Sequence, residues 1–260
     1  MPKYFAYGSN LSHQQMAERC PESVPTCVAT LYDYTLTFSG YSEFWKGGGA
    51  AITHSIGSIL NGGLYEVSDA DLHKLDKFES AYRREEITVF TDKEQKIQAI
   101  TYIKLEPEEF VAPSERYVLT ILKGHLDFNI TFRQLSRILL QKDFFCNRLF
   151  VYGTLRVGGS NHDKAVGFSD IQLADLMGFE KQFFDVGIPF LSEMISGAVK
   201  GDLLEYPNLI MIQKLELLDR LEGFNKETIL LSFYERTLVP VLLSNGDSRL
   251  SWVYIIGKKL

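Results

Sequence analysis

Two glutamates in this chain stand where a carboxylate is costly. Glu79 follows Leu72 and Leu75 at i, i+3 and i+7 of one run, and Glu222 follows Leu215 and Leu218 at the same spacing in another. On a helix that spacing sets each carboxylate on the apolar face. A carboxylate there must be paired, or it carries a raised pKa suited to general acid and base work. One such glutamate reads most simply as a solvated residue at a frayed helix end. Two in matched register, each with an aspartate three positions earlier (Asp76, Asp219), favour the chemical reading.

Upstream of each glutamate lies a second repeated feature. Tyr4-Phe5-Ala6-Tyr7-Gly8-Ser9-Asn10-Leu11 and Leu149-Phe150-Val151-Tyr152-Gly153-Thr154-Leu155-Arg156 are both apolar runs ending in Tyr-Gly-[Ser/Thr]. Each reads as a buried strand stopped by a glycine turn. Backbone N–H groups at such a turn point outward and form an anion or oxyanion site. A partly buried glutamate facing it can act first as general base and then as general acid. That pairing suits a rearrangement or acyl transfer in which the substrate brings its own nucleophile. Ser9 lacks a Gly-x-Ser-x-Gly elbow and is a poor nucleophile. Tyr7 and Tyr152 read equally well as core packing or as binding residues. The five histidines are scattered without metal-ligand spacing, so neither a metal nor a cofactor is expected.

Gly8 precedes Glu79 by 71 positions and Gly153 precedes Glu222 by 69. Two unlike motifs recurring in one order at nearly one distance imply an internal duplication. We therefore expect two domains, 1–142 and 148–260, with Lys142 to Arg148 as the join. In the first, strands are expected over 27–38, 50–53, 56–67, 86–91 and 96–105, the last ended by Pro107. Ser68 caps the Glu79 helix. Gly47-Gly48-Gly49 lacks the Gly-Lys-[Ser/Thr] of a phosphate cradle and reads as a flexible turn. A helix from Ser114 carries Tyr117 and stops at Gly124, and another covers 131–141. In the second domain strands are expected over 197–205, 230–233, 237–243 and 250–256, and nothing matches the helical tail of the first.

Composition bounds the function class. With 45% apolar and 23% charged residues the chain is an ordinary globular one. A net charge of −6, with no basic run, argues against a nucleic-acid partner. No apolar stretch is long enough to span a bilayer and the N-terminus lacks a signal peptide's apolar region, so the expected location is cytoplasmic, with no membrane partner. Three cysteines without ligand spacing read as free thiols.

Tyr7-Gly8-Ser9-Asn10-Leu11 with Leu75-Asp76-Lys77-Phe78-Glu79 resembles the γ-glutamylcyclotransferases, as does Tyr117 through Gly124. Tyr152-Gly153-Thr154-Leu155-Arg156, Asn161-His162 and Leu218 through Gly223 resemble the related γ-glutamylamine cyclotransferase and AIG2-like proteins. The resemblance implies an α+β architecture of two tandem small mixed β-barrels with flanking helices. It also implies a small-molecule γ-glutamyl substrate whose α-amine attacks its own γ-carbonyl, giving 5-oxoproline and a free amine or amino acid. Glu79 would carry the proton, the amides of Gly8 to Leu11 would hold and polarise the substrate, and Tyr7 and Tyr117 would line the site. Glu222, Tyr152, Gly153, Thr154 and Leu155 take the parallel roles. Ser80 stands where the second copy has Gly223, and no counterpart of Tyr117 follows Glu222, so the first copy has the fuller motif set. Two rival readings remain open: a non-catalytic module binding an anionic metabolite, and an enzyme removing a γ-glutamyl group from a specialised metabolite.

Overall fold

The computed structural model describes residues 1–105 and 109–257, so Pro107 lies outside the described residues. The chain forms two compact units, Met1–Thr131 and Phe132–Leu260. In the first, strands β1 (Lys3–Ala6), β2 (Val24–Ser42), β3 (Gly47–Glu66), β4 (Tyr82–Thr91) and β5 (Lys96–Lys104) close a barrel in the order β1-β3-β2-β4-β5. All pairings are antiparallel except the one that closes the ring, β5 on β1, at Tyr4 and Ile100. Helices α1 (His13–Arg19), α2 (Asp69–Phe78) and α3 (Glu115–Phe128) flank it.

The second unit begins with α4 (Arg133–Gln141) and continues through β6 (Arg148–Val151), α5 (His162–Ala165), β7 (Asp170–Phe183), β8 (Pro189–Glu205), α6 (Asn208–Leu221), β9 (Tyr234–Leu243) and β10 (Ser248–Ile256). Its barrel order, β10-β6-β8-β7-β9, is that of the first read from the other end of its closing pair, and β10 again joins β6 in parallel, at Trp252 and Leu149. The duplication is therefore one of topology as well as motif. Barrel closure leaves no open sheet edge in either copy. Inward residues fill each core by strand alternation: Phe5, Leu36, Phe38 and Leu64 in one, Phe150, Phe179, Leu204 and Trp252 in the other, all buried.

The strands expected over 50–53 and 56–67 are one, β3, and three further details differ from expectation. Gly47 to Gly49 is the start of β3, not a turn, because a Cβ at Gly48 would sit 2.0 Å from the Val111 carbonyl oxygen; without one, Gly48 N–H reaches Ala112 O at 2.9 Å. Helix α3 runs through Gly124 to Phe128 and ends on Asn129 in the left-handed conformation, φ 58°. Gly124 is where the helix crosses the glycine turn of β1, since a Cβ there would lie 2.3 Å from Leu11 Cβ. Residues 226–231 form a 3₁₀ turn, and the strand expected from 230 begins at Tyr234.

The unit boundary falls at 131/132, eleven residues before the expected end of the first domain (142 − 131). Helix α4 packs on β9 of the second barrel: Arg133 and Arg137 hold the buried Glu235 carboxylate at 2.6 and 2.7 Å, and Ser136 Oγ accepts from Leu238 N–H at 2.9 Å. Without α4, Glu235 would be a buried carboxylate with its arginine partners removed, a loss that costs several kcal/mol. Among the described residues no helix is long and apolar enough to cross a membrane, and no group of three or more His, Cys, Asp or Glu side chains is placed to hold a metal ion.

Candidate active site

Helix α2 exists to place Glu79. Ser68 Oγ accepts from Asp71 N–H at 3.1 Å to start it, Leu72 and Leu75 bury its inner face, and Glu79 caps its C-terminus with its N–H on Leu75 O at 2.9 Å. Each buried leucine contributes about 1.5–3 kcal/mol to that docking. Glu79 thus stands at the helix end, yet its side chain is only 18% exposed. Burial pushes its pKa up, offset in part by Arg19 and by the Asn10 hydrogen bond.

The partners come from the glycine turn and α1. Asn10 Nδ2 donates to Glu79 Oε1 at 3.1 Å and to Tyr4 Oη at 2.9 Å. Arg19 Nη1 lies 3.4 Å from the same carboxylate oxygen and 2.9 Å from Asn10 Oδ1, with its guanidinium 4.6 Å above the Phe78 ring. Gln15 Nε2 donates to Ser9 Oγ and Asn10 Oδ1 at 2.7 and 3.0 Å. Ser12 Oγ accepts from Gln15 N–H at 3.4 Å and so starts the helix that carries both Gln15 and Arg19.

Tyr7, Gly8, Ser9, Asn10, Tyr117 and Glu79 line one cavity of about 30 Å³, with Tyr4, Ala50, Tyr82 and Tyr102 completing its wall. That space admits a water or a carboxylate oxygen, not a whole substrate. Beyond it, sharing Ser9, Glu79, Tyr82 and Tyr117, lies a cleft of about 730 Å³ that also carries Arg19, Trp45, Lys77 and Lys104. The Ala50 peptide is pinned between two phenols: its N–H donates to Tyr117 Oη at 3.1 Å and its carbonyl accepts from Tyr82 at 2.8 Å. The Ser9 and Asn10 amides have no acceptor among the described residues, and both residues line the cavity together with Glu79.

Leu11 does not join this group. Its N–H is bonded to Gly8 O at 3.0 Å, its side chain is fully buried, and its carbonyl accepts from Tyr65 at 3.0 Å. The turn itself takes up that amide, so the expected row of four donors is shorter by one.

The second barrel repeats the frame. Glu222 caps α6 with its N–H on Leu218 O at 2.8 Å. It lines, with Tyr152, Gly153, Thr154 and Leu155, a single chamber of about 690 Å³. Among the described residues its carboxylate has no hydrogen-bond or ion-pair partner, and burial alone pushes its pKa up to about 7. Leu155 occupies the place of Asn10, and α5 sends no arginine to the carboxylate.

Both sites are held by one further chain of contacts that the motif reading missed. Tyr7 donates to Tyr102 O at 2.6 Å, and Tyr102 donates to Asp76 Oδ1 at 2.7 Å. Arg84 Nε reaches that oxygen at 3.1 Å. In the second copy Tyr152 donates to Tyr254 O at 2.9 Å, Tyr254 donates to Asp219 Oδ1 at 2.6 Å, and Arg236 reaches Asp219 Oδ2 at 3.1 Å. The aspartate three positions before each glutamate thus ties the helix end to the barrel strands. A signal was present: Tyr82-x-Arg84 precedes Tyr102, and Tyr234-x-Arg236 precedes Tyr254, with 18 positions from arginine to tyrosine in each case (102 − 84, 254 − 236). Arg19, Gln15 and Tyr4 carried no comparable mark.

Comparison with known proteins agrees with the doubled frame. The family model described as gamma-glutamyl cyclotransferase, AIG2-like, matches residues 4–119 and again 149–260. The gamma-glutamylcyclotransferases of Bos taurus and Homo sapiens are 36% and 33% identical over 129 residues, 46% of this chain and 68% of each relative. Among solved structures, a gamma-glutamyl cyclotransferase aligns with TM-score 0.49 and 29% identity over 51% of this chain and 82% of that one. YkqA from Bacillus subtilis aligns with TM-score 0.47 and 18% identity over 98% of this chain and 83% of that one. Matched by the family model over both of its barrels, the chain belongs to the gamma-glutamyl cyclotransferase, AIG2-like family.

Proposed function

We propose that the chain is a cyclotransferase that converts γ-glutamyl amino acids or γ-glutamyl amines to 5-oxoproline and the free amine. The observation that carries this reading is the pairing, built twice, of a half-buried glutamate of raised pKa with the amides of a Tyr-Gly-[Ser/Thr] turn. Names borne by relatives support the same class.

The reaction needs little beyond positioning, because nucleophile and electrophile are in one molecule. Folding the γ-glutamyl chain into a near-attack ring converts binding energy into rate. Glu79, held by Asn10 and Arg19, takes a proton from the α-ammonium; the freed amine attacks the γ-carbonyl carbon, the old C–N bond breaks as Glu79 returns that proton to the leaving nitrogen, and the second proton shed by the new lactam nitrogen also passes to the departing amine, which leaves as an ammonium. The Ser9 and Asn10 amides stabilise the oxyanion of the tetrahedral intermediate. Desolvation serves this chemistry, since a carboxylate with a raised pKa is a better proton acceptor.

The test is 5-oxoproline release from γ-glutamyl amino acids, γ-glutamyl amines and glutathione by wild type and by Glu79→Gln. Turnover by wild type is expected, with a loss of at least about 100-fold in the variant for at least one of these substrate classes. A folded wild type that binds these compounds and releases no 5-oxoproline from any of them would instead be a binding module.

A further inference from the structure

The hydrogen bonds that helix α1 sends into the first site have a direction. Arg19 carries donors and no acceptor, so the Asn10 atom 2.9 Å from its Nη1 is the carbonyl oxygen Oδ1. That leaves Asn10 Nδ2 to donate to Tyr4 Oη at 2.9 Å and Glu79 Oε1 at 3.1 Å. A turned amide would set oxygen against the carboxylate and NH₂ against the guanidinium, losing every one of these bonds. Gln15 is fixed in its turn: the atom 3.0 Å from Asn10 Oδ1 is Nε2, and Nε2 also donates to Ser9 Oγ at 2.7 Å.

Two hydroxyls lie beyond. Ser9 and Tyr117 are hydrogen-bonded to each other, and the bond lowers the phenol's pKa while burial, the larger influence, raises it to about 12. Gln15 donates into the Ser9 end of this pair, and the Ala50 N–H donates into the Tyr117 end at 3.1 Å. The pair holds two protons and uses one between its oxygens. Donation from Ser9 is the direction that lowers a phenol's pKa, so the phenol proton is the one left over. It has no acceptor among the described residues, and both side chains line the small cavity that Glu79 also lines.

The second turn repeats the device from a different element. Asn161 Nδ2, just before α5, donates to Thr154 Oγ1 at 3.2 Å. The Thr154 proton has no acceptor among the described residues either, and both residues line the chamber of Glu222. In each copy an amide feeds the turn hydroxyl from behind and leaves a hydroxyl proton for whatever binds in front.

We propose that Gln15 is a positioning residue of the first site: oriented by Arg19 through Asn10, it turns the Ser9 and Tyr117 pair so that the phenol donates to the substrate oxygen on which negative charge develops. This rests on the cyclotransferase reading given above. The amide of Gln15 bonds Ser9 and Asn10 and not Glu79, so it acts through other residues. A cavity of about 30 Å³ seats a single oxygen atom, within reach of the residues whose amides and phenol lack acceptors. The phenol, held protonated by burial, remains a donor throughout the neutral range and gives up no proton.

The test is a cycle on the full chain: wild type, Tyr117→Phe, Gln15→Met and the double variant. Release of 5-oxoproline is measured on those γ-glutamyl amino acids, γ-glutamyl amines or glutathione whose turnover Glu79→Gln removes. Tyr117→Phe is expected to lower kcat about 100-fold with KM changed less than about twofold, as for one lost oxyanion donor. Gln15→Met is expected to lower kcat about 10-fold, a part of that donor's worth. The double variant should be no slower than Tyr117→Phe alone, because no phenol proton then remains to be directed. Gln15→Glu keeps the side chain's shape but presents an acceptor to Ser9, reversing the pair; it replaces Gln15→Met in the cycle, with the same loss and coupling expected, if the methionine variant fails to fold by thermal melt. Losses that multiply in the double variant overturn the proposal, as does a kcat that Tyr117→Phe leaves unmoved. If no substrate depends on Glu79 and release is lost on Glu222→Gln instead, the proposal falls and the cyclotransferase reading stands. If folded wild type releases 5-oxoproline from none of these compounds, both fall.

Discussion

The two barrels share topology, the helix that ends in a glutamate, and the Arg-Asp-Tyr-Tyr chain behind it, yet the glutamates live in different electrostatic settings. Glu79 is braced by an amide donor and a guanidinium; Glu222 has neither. The difference traces to two places: the residue after Ser9 or Thr154 in the turn, Asn10 against Leu155, and the helix that does or does not carry an arginine, α1 against α5. A duplicated scaffold thus keeps the geometry of the carboxylate while its basicity is set by a few residues in the turn and the helix after it.

Exchanging the turn residue tests this most strongly. Asn10→Leu removes the Nδ2 donor to Glu79 and the Oδ1 acceptor that Arg19 and Gln15 share. First-site turnover is expected to fall about 100- to 1,000-fold, the range for losing a positioned donor. The acid limb of the remaining kcat/KM profile should move to higher pH. The reciprocal Leu155→Asn is expected to move the second-site limb to lower pH, because a donor favours the carboxylate. Profiles that stay where they were would break the link between turn residue and basicity.

The supporting aspartates should differ in the opposite sense. Arg236 is buried, between the rings of Phe224 and Trp252 at 5.3 and 5.0 Å, whereas Arg84 is a third exposed, 35%. Asp76 is held below the usual carboxylate range: burial acts upward, and the Tyr102 hydroxyl and Arg84 outweigh it. Burial instead wins at Asp219 and raises it, against Arg236 and Tyr254. Asp219→Asn leaves a buried guanidinium without its counter-charge and is expected to cost about 2–3 kcal/mol in chemical denaturation. Asp76→Asn should cost less than about 1 kcal/mol.

Stability against pH separates the glutamates as well. The Glu222 carboxyl titrates at about 7 in the folded chain against an ordinary 4.5, so between those values the folded state holds more protons than the unfolded one and stability falls as pH rises. Above about 7 the full penalty of a buried carboxylate applies, and below 4.5 there is none. Glu222→Gln is therefore expected to be more stable than wild type by about 1–2 kcal/mol at pH 8 and equal to it at pH 4. Equal melting temperatures at both pH values would show a hydrated carboxylate.

What the sequence disclosed, and what it withheld, follows the same division. The i, i+3, i+7 register of Glu79 and Glu222 and the two glycine turns were legible because they repeat, and repetition distinguishes a built feature from a solvated glutamate. The Tyr-x-Arg and tyrosine spacing repeats just as closely, but it starts three residues after Glu79 and twelve after Glu222 (82 − 79, 234 − 222), where the 3₁₀ turn at 226–231 is inserted, so it escaped alignment with the glutamates. Arg19 was illegible because a seven-residue polar helix has no periodicity to say which side faces the site. The side to which α4 belongs was not legible, because what ties it to the second barrel is the pair of arginines on Glu235, about a hundred positions away in sequence. Gly124 reads as a helix stop from its type alone, and the backbone it must pass is 113 positions away in sequence (124 − 11).

The smallest effect concerns the tyrosines that open both turns. Tyr7 and Tyr152 line their cavities with their rings, but their hydroxyls donate to strand carbonyls, Tyr102 O at 2.6 Å and Tyr254 O at 2.9 Å, and burial holds both phenols well above their ordinary pKa. A phenol so held is a neutral donor already in use, unable to serve as acid or base near neutrality. Tyr7→Phe and Tyr152→Phe are accordingly expected to lower stability by about 1 kcal/mol each, the net worth of one buried hydrogen bond together with the carbonyl left behind. KM for substrates of either site should change less than about twofold, since the ring that bounds the cavity is kept. A 10-fold rise in KM from Tyr7→Phe with none from Tyr152→Phe would mean that the first-site hydroxyl turns from its strand to the substrate. In that case the small cavity of the first barrel would be assembled by the ligand, and the contrast between the sites would extend from electrostatics to shape.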